Sequence, residues 1–261
     1  MGKITEALKR ATEERLERFD KIGRIQEHQQ LVVKKIGASK VDPRVVAYFD
    51  PKALITEQYK ILRTNLLSLN KTKPPKVIVV TSSIHSEGKT VTAINLAVTL
   101  AQSTHKPRVL LVDADLRRGR TVRYLGVNQK VGLADVLKEQ AQAKDVIFKL
   151  DIDNLSFLAA GAYPDNPAEL LASESMSGFL SEMKTQFDHI IIDTPPIISV
   201  TDAGIVGAQA DGVVMVIQAG RTQRGIIKHA TELLQQTHAK ILGHVLTNIE
   251  YHLPEYIYRY L

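Results

Sequence analysis

The chain has 261 residues, a length that suits one large α/β domain with appendages. Hydrophobic residues make up 44% and charged residues 24%, a composition that excludes disordered, collagenous and fibrous chains. The absence of cysteine excludes a disulfide framework, a cysteine nucleophile and cysteine-ligated zinc. No apolar run approaches the roughly 18 residues of a membrane span and no signal-peptide pattern is present, so the sequence predicts a cytoplasmic location.

The formal net charge of +6 raises the question of a nucleic-acid partner, which its distribution along the chain answers. Residues 1–76 contain 17 basic and 9 acidic side chains, a net charge of +8. The remaining residues contain 17 basic and 19 acidic side chains, a net charge of −2. The basic excess belongs to the N-terminal part, and the sequence predicts no nucleic-acid partner.

Three segments precede the first expected strand. Residues 1–28 place apolar side chains on one face of a charge-rich helix, and residues 29–53 are interrupted by glycine and proline as a connector would be. A second helix is expected at 52–69. The sequence therefore predicts a basic helical extension and linker at 1–53, a domain at 54–250 that begins with a helix at 54–69, and a tail at 251–261.

From residue 76 onward, short β-branched runs alternate with helical patterns, which is typical of βαβ units and of a doubly wound, mostly parallel sheet. Strands are expected at 77–80, 109–112, 155–158, 190–192, 213–217 and 241–245. Helices are expected at 89–102, 133–140, 167–174, 176–187, 202–208 and 225–237. Asn166 is the expected N-cap of one helix, with Pro167 at its first position.

The segment 80–90 runs from a predicted strand through a loop into a helix. Gly88-Lys89-Thr90 at this junction is typical of a phosphate-binding loop, in which Lys89 reaches the β and γ oxygens and the Thr90 hydroxyl binds Mg²⁺. The strict pattern has a glycine where Ser83 stands. Taken alone, the tripeptide also fits an ordinary helix start.

Carboxylates end two further predicted strands. Asp113 and Asp115 follow one apolar run, and Asp193 follows another. Ligands bind at the carboxyl ends of strands in open α/β sheets, so these side chains are expected to face a nucleotide crevice, where Asp193 would hold Mg²⁺ directly or through water. A single strand-end aspartate is often only a cap or turn residue, but three such sites at βαβ spacing favour a nucleotide site.

These three segments resemble the Walker A, Walker A′ and Walker B motifs of bacterial tyrosine kinases (BY-kinases), the cytoplasmic P-loop autokinases of capsule and exopolysaccharide synthesis. The resemblance extends over about residues 54–261 and includes the segments 57–65, 161–171 and 187–196. Four tyrosines near the C-terminus are similar to the autophosphorylation cluster of the family: Tyr251, Tyr256, Tyr258 and Tyr260.

The resemblance implies a MinD-like P-loop NTPase fold and a protein-tyrosine kinase that uses ATP and Mg²⁺ to phosphorylate the tail tyrosines of a neighbouring copy. The implied catalytic residues are Lys89, Asp113, Asp115 and Asp193, with either Asp113 or Asp115 as the proton acceptor. The implied nucleotide contacts are Ser86, Glu87, Gly88, Lys89, Thr90, Val91 and Asn248. The implied metal-binding residues are Thr90, Asp113 and Asp193.

The resemblance also implies partners. The helix at 54–69 is similar to the oligomerisation helix of the family, so Glu57, Lys60 and Arg63 are expected to support a homo-oligomer, such as a ring. Lys60 stands where the family has an arginine. Kinase domains of the family without membrane spans are activated by the cytoplasmic tail of a membrane co-polymerase, so such a partner is expected to hold this chain at the inner face of the plasma membrane.

Two other functions share the same motifs. A MinD/ParA-type partition ATPase would have a second lysine where Ile84 stands and a basic amphipathic helix where this chain has tyrosines around Pro254. A non-catalytic nucleotide-binding adaptor fits the altered loop. Asn248 fits a turn as well as an adenine contact, and the alternating tail tyrosines fit an edge strand as well as phosphate acceptors.

Overall fold

The computed structural model describes residues 37–70 and 72–249. The predicted helix at 1–28 and the tail tyrosines Tyr251, Tyr256, Tyr258 and Tyr260 lie outside the described residues. Within the described ranges, no helix has the length and apolar character needed to cross a membrane.

A seven-stranded sheet forms the centre of the domain, in the order β3-β4-β2-β5-β1-β6-β7. Neighbouring strands are parallel except for β3 and β4. The strands are β1 (Val77–Ser82), β2 (Val109–Asp113), β3 (Phe148–Lys149), β4 (Leu155–Leu158), β5 (His189–Asp193), β6 (Gly212–Gln218) and β7 (Ile241–Thr247). This order confirms the predicted doubly wound fold, because strands distant in sequence are neighbours at its centre.

Strand β1 shows why the apolar runs become strands. Val77 and Val79 pack into one hydrophobic core, and Ile78 and Val80 pack into the other. Successive side chains of a strand point to opposite faces, so a continuous β-branched run suits a sheet that is covered on both sides.

Helices cover both faces of the sheet. The helices are α1 (Val46–Phe49), α2 (Leu54–Ser68), α3 (Lys89–Ala101), α4 (Thr121–Leu125), α5 (Leu133–Leu137), α6 (Ala143–Val146), α7 (Pro167–Ala172), α8 (Glu174–Gln186), α9 (Asp202–Gln209) and α10 (Arg224–Gln236). Leu66 of α2 and Ile94 of α3 are buried on one face, and Met176 of α8 and Leu234 of α10 on the other. Asn166 is the N-cap residue of α7 and Pro167 is its first residue, as predicted, although the Asn166 side chain makes no capping hydrogen bond.

The connector predicted at 29–53 differs from the structure where it reaches the domain. The short helix α1 lies within it, and Ala47 is fully buried. The side chain of Asn95 accepts the N–H of Ala47 at 3.0 Å and donates to the carbonyl of Arg44 at 2.9 Å. A single turn is too short to produce a sequence period, and α4, α6 and β3 escape prediction for the same reason.

Candidate active site

Residues predicted to be catalytic meet at the carboxyl ends of three neighbouring strands. Asp113 and Asp193 are the last residues of β2 and β5 and are opposite one another in the sheet register. Lys89 is the first residue of α3, which follows β1 on the other side of β5. Open parallel sheets bind ligands at this edge, so the three side chains share one crevice.

The amino group of Lys89 lies among three oxygen atoms. Its Nζ is 3.3 Å from Thr90 Oγ1 and 3.3 Å from Asp115 Oδ2, and it is 3.4 Å from Asp193 Oδ1. Burial by itself lowers the pKa of Lys89, but the charges of Asp193 and Asp115 outweigh burial and raise this pKa above its usual value. The lysine is therefore a cation that can contact an anionic ligand.

Asp193 connects Lys89 to two hydroxyl groups. Its Oδ2 accepts a hydrogen bond from Thr90 at 2.7 Å and another from Thr121 at 3.4 Å. Burial raises the pKa of Asp193, whereas the charge of Lys89 and the hydrogen bond from Thr90 act in the opposite direction. The structure thus brings together the hydroxyl and carboxylate oxygens that the sequence assigns to Mg²⁺, a cation that prefers oxygen ligands.

The carboxylate of Asp113 is directed towards backbone N–H groups. One oxygen accepts the N–H of Asp115 and the other accepts the N–H of Thr121, each at 3.1 Å. Burial, followed by the charge of Asp193, raises the pKa of Asp113 to about 7. Asp113 therefore anchors the loop of residues 114–120, called the A′ loop below.

Asp115 has a different environment, although it is only two residues further on. Its Oδ2 faces Lys89 at 3.3 Å, and its Oδ1 accepts the backbone N–H of Arg118 at 3.1 Å. Asp115 is 5% exposed, whereas Asp113 is fully buried. Of the two aspartates that the sequence leaves as alternatives, Asp115 lies beside the lysine.

Side chains from elsewhere in the chain hold the outer part of the A′ loop. Arg117 forms two hydrogen bonds with the buried carboxylate of Asp202, at 2.9 and 3.0 Å. The hydroxyl of Tyr163 donates to the carbonyl of Arg118 at 2.8 Å. Sequence reasoning missed both contacts, since Asp202 at the start of α9 has the pattern of an ordinary helix N-terminus.

The phosphate-binding loop of residues 83–88, called the P-loop below, is closed by the carboxylate of Glu87. Its Oε2 accepts the N–H of Ile84 at 2.8 Å. Its Oε1 accepts the N–H of Gln218 at 3.2 Å and the hydroxyl of Thr222. The buried carboxylate of Glu87 is bonded to protein donors, so its predicted nucleotide contact, which stays a prediction, would use the backbone of this residue.

Two P-loop residues adopt positive φ angles. Gly88 has φ 94° and Ser86 has φ 66°, in the region that glycine populates most readily. A Cβ at position 88 would lie 3.4 Å from Cγ2 of Thr247, whose hydroxyl donates to the carbonyl of Glu87 at 2.8 Å. The carbonyl of Ser86 accepts a hydrogen bond from Arg221 at 3.3 Å. Contacts from β7 and from the loop after β6 thus surround the P-loop.

The remaining predicted nucleotide contacts flank this loop. Val91 lies in the first turn of α3, where its carbonyl accepts the side chain of Asn95 at 2.9 Å. Asn248 follows β7, is exposed and has φ 51°. This conformation suits the turn asparagine considered as an alternative. A contact of Asn248 with adenine stays a prediction.

The residues predicted to support oligomerisation lie on α2 rather than in the crevice. Lys60 contacts Glu57 at 2.7 Å and the carbonyl of Pro51 at 2.7 Å. Arg63 donates to the carbonyl of Thr99 on α3 at 2.6 Å. All three side chains therefore have contacts within this chain.

Comparison with known proteins places this geometry in a family. An AAA domain model matches residues 75–243. The chain is 37% identical over 216 residues to the tyrosine-protein kinase YwqD of Bacillus subtilis, covering 83% of this chain and 90% of that protein. It is 35% identical over 203 residues to the tyrosine-protein kinase CpsD of Streptococcus agalactiae, covering 77% of this chain and 87% of that protein.

Solved structures agree with this relationship. The chimerical protein CapA2B2 superposes with a TM-score of 0.76 at 29% identity, covering 81% of this chain and 93% of that chain. The tyrosine kinase domain of BceF superposes with a TM-score of 0.71 at 33% identity, covering 84% and 88%. A plasmid partition protein of Borrelia burgdorferi, at 22% identity and a TM-score of 0.53, shares the fold alone. With its Lys89, Asp113, Asp115 and Asp193 at one sheet edge, the chain belongs to the bacterial tyrosine-protein kinase family.

Proposed function

We propose that this chain is an ATP-dependent protein-tyrosine autokinase that phosphorylates the tail of a neighbouring copy at Tyr251, Tyr256, Tyr258 and Tyr260. The observation that carries the proposal is the position of Lys89 Nζ, within 3.4 Å of Thr90, Asp115 and Asp193 in a chain of the tyrosine kinase family. Phosphoryl transfer is mainly positioning and charge neutralisation, which a lysine among hydroxyl and carboxylate groups can supply.

The nucleotide phosphates belong at the N-terminus of α3. Backbone N–H groups of the P-loop and the first helical turn, with the positive end of the helix dipole, favour an anion there. Lys89 would contact the β and γ oxygens, and Ser86, Gly88, Thr90 and Val91 would contribute through the same loop and turn. The ties of Glu87 fix this backbone before the nucleotide arrives.

Thr90 and Asp193 are the residues that would hold Mg²⁺. Their oxygens are 2.7 Å apart, and hydroxyl and carboxylate oxygens are the ligand types that this cation prefers. When bound, Mg²⁺ neutralises negative charge on the phosphates. Asp113, the third predicted metal residue, is directed towards backbone donors, so its role here is to fix the A′ loop beside Asp193.

Asp115 is the proposed proton acceptor. The phenol oxygen of the acceptor tyrosine forms a bond to the γ phosphorus while the bond from that phosphorus to the β–γ bridging oxygen breaks. ADP leaves with that oxygen, and the phenol proton passes to the carboxylate of Asp115. Asp115 lies beside Lys89 and is 5% exposed, whereas Asp113 is fully buried.

Phosphotyrosine mapping tests this function. The purified chain is incubated with Mg·ATP, and its phosphopeptides are mapped by mass spectrometry. We expect phosphate on the tail tyrosines, none with Lys89→Ala, and at least a roughly 100-fold slower reaction with Asp115→Asn, the loss typical of removing a general base. ATP turnover stimulated by DNA or lipid without phosphotyrosine would contradict the proposal and support a partition ATPase. Nucleotide binding without either reaction would support an adaptor.

We further infer a homo-oligomer that uses α2. Leu54, Ile55 and Ile61 of this helix are 75%, 58% and 51% exposed, and clustered apolar exposure marks interaction sites. Glu57 and Lys60 lie on the same helix.

A membrane-anchored co-polymerase is the proposed activator of the kinase, and the basic segment 1–53 is the part of this chain proposed to dock on it. The kinase would then regulate exopolysaccharide or capsule synthesis at the inner membrane face. Deletion of residues 1–36, which keeps α1 and the buried Ala47 in the domain, should abolish recruitment to the membrane while leaving intrinsic tail phosphorylation in place.

A further inference from the structure

Tyr163 presents a fixed aromatic ring at the rim of the crevice. It follows β4, which is parallel to β2, so both strands end at the same sheet edge. Tyr163 is 64% exposed, whereas the other tyrosines of the described residues, Tyr48, Tyr59 and Tyr124, are partly buried. Its hydroxyl donates to the carbonyl of Arg118 at 2.8 Å. The polar end of the side chain is therefore held while much of the side chain remains accessible.

The ring is close to the proposed proton acceptor. A Cβ at position 119 would lie 3.5 Å from Cε1 of Tyr163, so the ring packs beside Gly119. The N–H groups of Gly119 and Arg118 bond to the carbonyl of Asp115 at 2.8 and 3.1 Å. The carboxylate of Asp115 faces Lys89 at 3.3 Å. Tyr163 therefore contacts the same loop that carries Asp115, the residue that faces the lysine.

We propose that Tyr163 is an acceptor-binding residue whose ring stacks on the tyrosine-rich segment 250–261 of a second copy, an inference that rests on the proposed function. Aromatic rings attract one another in offset or edge-to-face arrangements, and a ring that is already fixed loses little entropy on binding. In this segment Tyr256, Tyr258 and Tyr260 alternate. In an extended bound conformation, residues two apart are about 7 Å apart, so one tyrosine can enter the crevice while its neighbour contacts the rim.

Charge at the rim suits the same occupant. The side chains of Arg118 and Arg120 are exposed on the A′ loop. The segment 250–261 contains two acidic side chains, Glu250 and Glu255, and one basic side chain, Arg259, so its side chains carry a net charge of −1. Complementary charges around an aromatic contact favour one orientation of the segment and increase its rate of association.

The test separates the ring of Tyr163 from its hydroxyl. A synthetic peptide of residues 250–261 serves as acceptor for the full chain, whose own tail carries Tyr251→Ala, Tyr256→Ala, Tyr258→Ala and Tyr260→Ala so that it does not compete. Tyr163→Ala removes the ring, whereas Tyr163→Phe keeps the ring and loses only the hydroxyl. We expect Tyr163→Ala to raise KM for the peptide about 3- to 10-fold with KM for ATP unchanged, and Tyr163→Phe to change the peptide KM less than about twofold.

A direct binding measurement separates this inference from the proposed function. Fluorescence anisotropy of the labelled peptide is measured with the tail-substituted chain carrying Lys89→Ala, with and without Tyr163→Ala. Equal dissociation constants would overturn the inference. So would an equal loss of kcat in Tyr163→Ala and Tyr163→Phe at unchanged peptide KM, which would assign Tyr163 to positioning of the A′ loop. If no peptide is phosphorylated although Tyr163→Ala weakens its binding, the docking role stands and the proposed function fails.

Discussion

The P-loop and the A′ loop border the same crevice, but they are held in different ways. The P-loop is closed from inside by Glu87, a residue that is only 1% exposed. Its carboxylate accepts hydrogen bonds from three protein donors. The A′ loop is anchored from inside by Asp113, and its outer part is held by the pair of Arg117 with the buried Asp202 and by Tyr163. Arg117 and Tyr163 are accessible to solvent.

The difference matters because buried and exposed hydrogen bonds respond differently to loss. Removing a buried acceptor leaves its donors without a partner, whereas an exposed member of a pair can bond to water when its partner is removed. We therefore expect the P-loop, on the nucleotide side, to be rigid. The outer A′ loop, on the proposed acceptor side, is expected to adjust at a lower cost, because Arg117 and Tyr163 are accessible to water. Such a division suits the proposed autokinase, which would bind one nucleotide but several tyrosines of a tail.

The largest effect is expected from Glu87→Ala. The substitution deprives the N–H groups of Ile84 and Gln218 and the hydroxyl of Thr222 of their acceptor. We expect the free energy of unfolding to fall by about 3 kcal/mol, together with a loss of nucleotide affinity. Urea denaturation and nucleotide titration measure the two effects. Glu87→Gln keeps one acceptor oxygen and should lie between the parent chain and Glu87→Ala. An unfolding free energy unchanged by Glu87→Ala would mean that the P-loop is no better anchored than the A′ loop.

Much of the crevice follows from local sequence. Asp113 and Asp193 are the last residues of apolar strands, and Lys89 begins the helix that follows a third one. The carboxyl ends of parallel strands share one sheet edge. Once the alternation of strands and helices is recognised, the proximity of these side chains can be predicted without knowing any long-range contact.

The ties around the two loops do not follow from local sequence. Glu87 and Gln218 are 131 residues apart, and Arg117 and Asp202 are 85 residues apart. Neither pair leaves a periodic pattern, because each depends on where unrelated loops meet after the sheet has formed. The hydrogen bond from the N–H of Ala47 to the side chain of Asn95 cannot be predicted from the sequence for the same reason. The hydrogen bonds by which the Glu87 side chain closes the P-loop therefore could not be predicted from the sequence.

The second effect concerns the inner anchor of the A′ loop and depends on pH. In the folded chain the pKa of Asp113 is raised to about 7 from the usual 3.8, chiefly by burial. Between these values the unfolded chain releases the proton while the folded chain retains it, so the contribution of Asp113 to stability falls as pH rises from about 4 to 7. Asp113→Asn cannot titrate, and we expect its unfolding free energy, relative to the parent chain, to rise by at most about 2 kcal/mol between pH 5 and pH 7.

Urea denaturation at pH 5, 6 and 7 measures this trend. Asp153→Asn, at an exposed position, is the control for removing a carboxylate elsewhere. A difference between Asp113→Asn and the parent chain that stays constant over this range would show that the anchor does not titrate there. The A′ loop would then be held from inside independently of pH.

The smallest effect is expected at the outer tie, and the two partners should differ. Arg117→Ala leaves the carboxylate of Asp202, which is fully buried, without its partner, whereas Asp202→Asn leaves Arg117, whose side chain is 38% exposed and can bond to water. We expect losses of unfolding free energy of about 2 kcal/mol for Arg117→Ala and about 1 kcal/mol for Asp202→Asn, because the charge left behind is buried in only one case. The double substitution should cost less than the sum of the two, since it leaves no buried charge. Urea denaturation of the parent chain and the three variants gives the unfolding free energies of this double-mutant cycle. A loss with Arg117→Ala as large as that with Glu87→Ala would contradict the contrast between the loops, and the acceptor side would then be as rigid as the nucleotide side.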